Sequence, residues 1–163
     1  KVCYFIILSL IIFFKVSASE KIAIVNIDFL LKNSKKGITI QEDFKKLNDK
    51  NKKIFTKKEK DLKEKESKLA AKKNVLSEED FNNQLKVFSN EIKKYNSERK
   101  KIFDELNAKR NTQIVNLLKD INSILIEYSK ENDISTTIDK KYVIITKSEN
   151  DITKDILNLL NKK

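Results

Sequence analysis

The sequence contains no proline, histidine, tryptophan or methionine, a single glycine and a single cysteine. Without histidine, and with Cys3 as its one thiol, the chain lacks the nitrogen and sulfur ligands of common metal sites. It also lacks a nucleophile paired with a base, and a glycine-rich loop that could cradle a phosphate. We therefore expect no enzymatic activity, no metal and no cofactor.

The scarcity of glycine and proline favours long, uninterrupted helices. From Ser77 to Tyr128 apolar residues recur in steps of four and three, which is the period of a coiled-coil seam. The phase of the seam changes once, near Arg110, as a stutter allows. At about 1.5 Å per residue this helix would be roughly 75–80 Å long, so it must protrude from the rest of the molecule. Before the change of phase the seam consists of Phe81, Leu85, Phe88, Ile92, Tyr95, Ile102 and Leu106. With the stutter it continues as Phe103, Leu106, Arg110, Ile114, Leu117, Ile121, Ile124 and Tyr128.

A second helix is predicted from Ile40 to Lys73. It is rich in lysine, and its apolar stripe is interrupted at or beside Asn51, Lys58 and Lys65. A tight connection around Asn74 leads into the long helix, so the two helices should lie antiparallel as a hairpin. The apolar stripe consists of Phe44, Leu47, Ile54, Phe55, Leu62 and Leu69.

Residue types that favour strands lie on both sides of the hairpin. Lys21–Ile27 precedes it, and Ile134–Ile138 and Tyr142–Thr146 follow it. The predicted fold is therefore α+β, with a small sheet-containing body and a long helical arm. A body of this size buries little apolar surface alone, so we expect it to oligomerise. Its interface residues are predicted to be Ile22, Ile24, Ile138, Val143, Ile144 and Ile145.

Capping residues mark the remaining element boundaries. Asp28 should begin a short helical turn, and the segment Asn33–Ile40, which contains Gly37, should be a loop. Ser77, followed by three acidic residues, resembles a capping box. Asp151 or Thr153 should begin a last amphipathic helix.

The first residues have the pattern of a secretory signal. Val2–Phe14 is almost entirely apolar, and Val16–Ala18 matches the small-residue cleavage rule. We predict a signal peptide over 1–18, a body formed by 19–40 and 114–163, and an arm over 41–113. The alternative is that the apolar segment is retained and tethers a structural coiled-coil protein of the cell envelope.

The formal net charge is +11 and comes mainly from lysine. A nucleic-acid binder is disfavoured because the charge is spread over helix faces without a recognised motif, and because the signal points outside the cytosol. The lysines could instead attract acidic polypeptides or anionic lipid headgroups.

Three segments resemble the OmpH/Skp family of periplasmic chaperones. Lys21–Ile27 is like the opening strand of that family. Tyr128–Asp139 is similar to its A-x-E-x-x-D/Y-x-x-V-V-D passage. Asn150–Leu160 is similar to its terminal D-I-T-x-x-V-L-x-x-L motif. The order of the three segments matches as well.

The resemblance implies a homotrimer whose hairpins surround a cavity. In that cavity, unfolded outer-membrane proteins would be held without ATP, in the periplasm. Candidate client-contacting residues are Phe55, Phe81, Phe88 and Tyr95, although their spacing also fits packing between the two helices. Family members contact lipopolysaccharide through basic arm residues, and Arg99, Lys100 and Lys101 form the nearest cluster here.

Overall fold

The computed structural model describes residues 20–162, so the predicted signal peptide lies outside the described residues. Two single-turn 3₁₀ helices, Lys140–Tyr142 and Ser148–Asn150, separate the last strand from the last helix. The fold is mostly helical with one small sheet, which confirms the predicted α+β class. In chain order the elements are β1 (Lys21–Val25), α1 (Ile27–Asn33), α2 (Lys35–Ala71), α3 (Glu78–Glu131), β2 (Ile134–Asp139) and α4 (Thr153–Lys162).

The helices α2 and α3 form the predicted antiparallel hairpin. They contain 37 and 54 residues, respectively. At 1.5 Å per residue, α3 is about 80 Å long. Its start is capped as predicted, because the Ser77 hydroxyl accepts a hydrogen bond of 3.1 Å from the backbone N–H of Asp80. Its end is followed by Asp133, whose φ of 53° turns the chain into β2.

The start of α2 differs from the sequence prediction. The helix begins at Lys35, and Gly37 lies in its first turn instead of in a loop. A Cβ atom on Gly37 would lie 2.0 Å from the carbonyl oxygen of Leu31, so only glycine permits this close approach of α1 to α2. The fully buried Ser34 caps α2 by accepting a hydrogen bond of 3.1 Å from the N–H of Gly37. Likewise Asn26, not Asp28, caps α1.

Within residues 20–162 the sheet consists of β1 and β2, paired in parallel, with the whole hairpin as their crossover. The strand predicted at Tyr142–Thr146 is not formed. Beside β1, on the side away from β2, there is only a single bridge between Ile24 and Asp151. Residues 143–147 pair neither with the free edge of β2 nor with β1, and they are irregular.

The hydrophobic core lies where α1, α4 and the end of α3 pack against β1. Leu30 and Ile156 are fully buried, and Ile121 is 1% exposed. Every member of the core lies before residue 41 or after residue 113. Within residues 20–162, each helix is too short or too polar to cross a lipid bilayer.

Candidate functional site

One aromatic layer holds the middle of the arm, which we define as residues 41–113. The rings of Phe55 and Tyr95 meet edge to face, with centroids 5.8 Å apart and planes at 75°. Both side chains are buried, and the Tyr95 hydroxyl donates a hydrogen bond to Glu59. Arg99 lies 3.4 Å from the same carboxylate oxygen. Burial raises the pKa of the Tyr95 hydroxyl, and the hydrogen bond to Glu59 raises it further.

Beyond this layer, the half of the arm toward the tip has no buried side chain over residues 56–94. Its apolar contacts are made by half-buried residues such as Leu62, Leu69 and Phe88. Because few apolar groups leave water there, local opening of this half should be cheap.

Ion pairs between the helices line one side of the arm. Lys58 contacts Glu98 at 2.6 Å, and Lys65 contacts Glu91 at 2.7 Å. The hydrogen bond from Lys58 lowers the pKa of Glu98. Lys58 and Lys65 therefore do not interrupt the seam, but lie beside it and hold the two helices in register.

The other side of the arm is open, because Thr56, Asn96 and Phe103 project from the opposite flanks of their helices. A groove of about 640 Å³ runs there between α2 and α3, and we call it the mid-arm groove. It is lined by Asn48, Asn51, Lys52, Phe55, Thr56, Glu59, Asn96, Arg99, Lys100, Ile102, Phe103 and Leu106.

The mid-arm groove combines three kinds of side chain. Its apolar floor is formed by Phe55, Ile102, Phe103 and Leu106. Phe103 is 57% exposed, although it is a large aromatic residue. Amides and one hydroxyl form the walls, and Lys52, Arg99 and Lys100 form a cationic rim. Such a surface suits a flexible ligand with apolar, backbone and anionic groups.

A family model for OmpH-like outer membrane proteins matches residues 21–160. The chain belongs to the OmpH family. No curated protein matches the sequence. Among solved structures, the chain resembles a candidate outer membrane chaperone (OmpH-like) from Caulobacter crescentus CB15, with a TM-score of 0.80. The two share 15% identity over 89% of this chain and 86% of the other, so the likeness concerns the fold.

The residues that the OmpH resemblance marked as candidates lie in different environments. Phe55 and Tyr95 are buried against each other, while Phe81 and Phe88 are half-buried nearer the tip. Arg99 and Lys100 lie on the rim of the mid-arm groove. Lys101 lies 3.9 Å from Glu105 along α3. Their contacts with clients or lipids stay predictions.

Of the asparagines in the groove, the sequence marked Asn51 as an interruption of the apolar stripe, but not Asn48 or Asn96. Asn48 and Asn51 line the α2 side of the groove toward the body, whereas Asn96 lies on α3 directly after Tyr95, nearer the Phe55–Tyr95 layer. Asn48 and Asn96 lie beside the seam, where polar residues are usual, so no pattern in the sequence distinguishes them. Phe103 was assigned to the seam, but it lies in the groove instead.

The predicted interface residues of the body fall into two groups. Ile24 is 3% exposed, and Ile138 and Val143 are half-buried. In contrast, Ile22, Ile144 and Ile145 are 44%, 99% and 90% exposed, respectively. The second group therefore offers an uncovered apolar surface beside β1.

Proposed function

We propose that this OmpH-family protein is a chaperone, an ATP-independent holdase of the periplasm for unfolded outer-membrane β-barrel chains. The observation that carries the proposal is the open apolar groove on a protruding helical arm. An arm whose only task is to space two bodies apart has no need to leave an aromatic side chain such as Phe103 more than half exposed. Family membership supports the same conclusion.

The arm surface matches the chemistry of such clients. Strands of outer-membrane barrels alternate apolar and polar residues, and unfolded strands expose unpaired backbone groups that drive aggregation. A soft apolar lining with polar walls can cover such segments without fixing one conformation. Several arms binding one client would add many weak contacts into a useful affinity. Holding of this kind requires no bond to be made or broken.

We also propose that the bodies assemble as a homotrimer. The outer edge of β2 faces no other strand within residues 20–162. The irregular segment 143–147 exposes Ile144 and Ile145. The unpaired edge of β2 in one copy and this segment of high strand propensity in the next copy could pair head to tail and close into a ring. The number three follows from the family resemblance.

The assembly has a direct test. Ile144→Asp would bury an unpaired charge in the proposed interface, which costs several kcal/mol. We expect the variant to sediment as a smaller species than the wild type in analytical ultracentrifugation. Leu159→Asp is the matched control, because Leu159 is also an exposed apolar residue. A wild-type chain that sediments only as a monomer at micromolar concentration would refute the trimer.

We also propose that basic side chains of the arm bind a second kind of partner. Arg99, Lys100 and Lys101 are proposed to contact anionic lipid or lipopolysaccharide at the outer surface of the arm. The side chains of Lys100 and Lys101 are highly exposed. Such contacts between exposed charges should weaken as added salt shortens the screening length.

The holdase function is tested by diluting a urea-unfolded outer-membrane protein into buffer and following light scattering. We expect the purified chain to suppress aggregation near one oligomer per client, without nucleotide. A variant that lacks residues 45–109, and with them the whole mid-arm groove, with the two helices rejoined, should suppress it less. If the shortened variant protects the client equally well, the arm is not the binding element.

A further inference from the structure

The walls of the mid-arm groove consist of neutral polar groups. Asn48, Asn51, Thr56 and Asn96 line it, and none of their side chains makes a hydrogen bond within the described chain. An amide side chain offers both donors and an acceptor. These groups are therefore free to pair with the N–H and C=O groups of a bound polypeptide backbone, whatever its sequence.

Asn51 keeps the groove open. It lies four residues after Leu47 and four before Phe55, where the seam of a helical hairpin normally has an apolar residue. It is half-buried, beside Ile102 and Leu106. A larger apolar side chain there would fill the space between the helices. Asn51 leaves the apolar floor of the groove accessible, and α2 and α3 pack less closely there as a result.

The rim of the groove is electropositive. Its single acidic residue, Glu59, already accepts the hydrogen bond of Tyr95 and lies beside Arg99. Lys100 forms an exposed ion pair with Asp104, whereas Lys52 has no ion-pair partner among residues 20–162. A client carboxylate that enters the groove therefore lies near two or three cations, while the one acidic side chain of the lining is already paired.

The dimensions of the groove fit an extended chain. On α2 the lining runs from Asn48 to Glu59. At 1.5 Å per residue this is about 17 Å. An extended polypeptide advances about 3.3 Å per residue, so roughly five residues fit, with about three side chains facing the floor.

We infer that the mid-arm groove docks an extended polypeptide segment in which apolar residues alternate with acidic or neutral polar residues. This inference rests on the proposed holdase function and names the part of the client that the arm recognises. The apolar side chains lie on Phe55 and Phe103. The asparagine amides bind the backbone, and the long side chains of Lys52 and Arg99 reach the carboxylates.

The test uses fluorescently labelled peptides and the purified full chain, with binding followed by anisotropy. One peptide alternates valine and phenylalanine with serine and glutamate. A second has the same composition with the apolar residues in one block, and a third replaces glutamate by lysine. We expect the first to bind roughly tenfold more tightly than the other two.

Two groove variants and one control identify the site. Phe103→Ser should weaken binding of the alternating acidic peptide by about tenfold, as the loss of an interface aromatic typically does. Asn96→Asp, which is nearly isosteric, should weaken the acidic peptide and strengthen the lysine peptide. Val115→Ser should change neither, because Val115 is also about half-exposed on α3 but lies outside the groove.

Equal binding of the three peptides, or no effect of Phe103→Ser and Asn96→Asp, would overturn the inference even if the wild-type chain suppresses client aggregation. Displacement of the peptide by anionic lipid vesicles that also depends on Phe103 would overturn the assignment to a polypeptide. Failure of the wild-type chain to suppress aggregation, by contrast, would reject the holdase function itself. Loss of folding in any variant is detected by circular dichroism.

Discussion

Replacing Asn51 by leucine should stabilise the arm and weaken its binding of a client. Asn51 is half-buried at a seam position and makes no side-chain hydrogen bond within the described chain. Burying about half of a leucine there contributes roughly 1 kcal/mol. The higher helix propensity of leucine adds about 0.5 kcal/mol. The expected gain in the free energy of opening the middle of the arm is therefore about 1.5 kcal/mol.

Hydrogen exchange measured by mass spectrometry reports this gain directly. Since about 1.4 kcal/mol corresponds to a factor of ten, amides near Phe55 and Tyr95 should exchange about tenfold more slowly in Asn51→Leu. The same variant should bind the alternating acidic peptide more weakly, because leucine fills part of the groove. Stability and binding would then change in opposite directions.

Asn111→Leu is the matched control, because Asn111 is exposed on α3 and lies outside the groove. It should gain only the helix-propensity term and leave peptide binding unchanged. If Asn51→Leu slows exchange no more than Asn111→Leu does, Asn51 does not weaken the seam. If it slows exchange and binds the peptide as tightly as the wild type, the groove is not the docking site.

Three further predictions concern the stability of the fold. Amides from Asp61 to Phe81 should exchange faster than those from Leu117 to Leu125, because no side chain is buried near the tip; uniform protection along α2 and α3 would contradict this. Gly37→Ala should destabilise the body by about 2–3 kcal/mol in thermal melts, because the added methyl group must displace the Leu31 carbonyl; a variant as stable as the wild type would show that α1 can shift freely. The Tyr95 hydroxyl should contribute fully to the free energy of unfolding below pH 10.0, its ordinary pKa. That contribution should be lost as the pH rises through the higher pKa that the hydroxyl has in the folded state. A stability difference between wild type and Tyr95→Phe that does not shrink above that pH would disprove the hydrogen-bond argument.

The hairpin could be predicted because its signals are local. Seam periodicity, the lack of glycine and proline, and the capping residues at Ser77 all act within a few turns of helix. The same reasoning failed at Gly37, since glycine usually marks a turn, whereas here its role is to admit the neighbouring carbonyl of Leu31. That contact joins two helices, so the local propensities of the residues do not predict it.

The predicted strand at Tyr142–Thr146 was wrong for a different reason. Its residues have high strand propensity, but in the single chain residues 143–147 pair with neither the free edge of β2 nor that of β1. Strand propensity alone does not decide whether a segment becomes a strand, because a strand also needs hydrogen bonds to a neighbouring edge.

The candidate site could be predicted in part. The sequence marked Phe55, Arg99 and Lys100, which all line the mid-arm groove. It placed Ile102 on the seam before the change of phase and Phe103 on the seam after it, and consecutive helical residues point about 100° apart, so they are buried to different extents. Ile102 is half-buried, and Phe103 is 57% exposed and faces the groove. The distinction depends on the local phase of α3, which drifts relative to an ideal seam.

Photocrosslinking from Phe103 tests the central claim most directly, namely that the open side of the arm holds the client. A benzophenone analogue of phenylalanine at this position preserves the aromatic side chain and reacts with whatever lies in the groove. With an unfolded outer-membrane protein present, we predict a strong crosslink to the client from position 103 and little from position 115. Equal crosslinking from the two positions, or crosslinks confined to an analogue at position 142 in the body, would contradict the account.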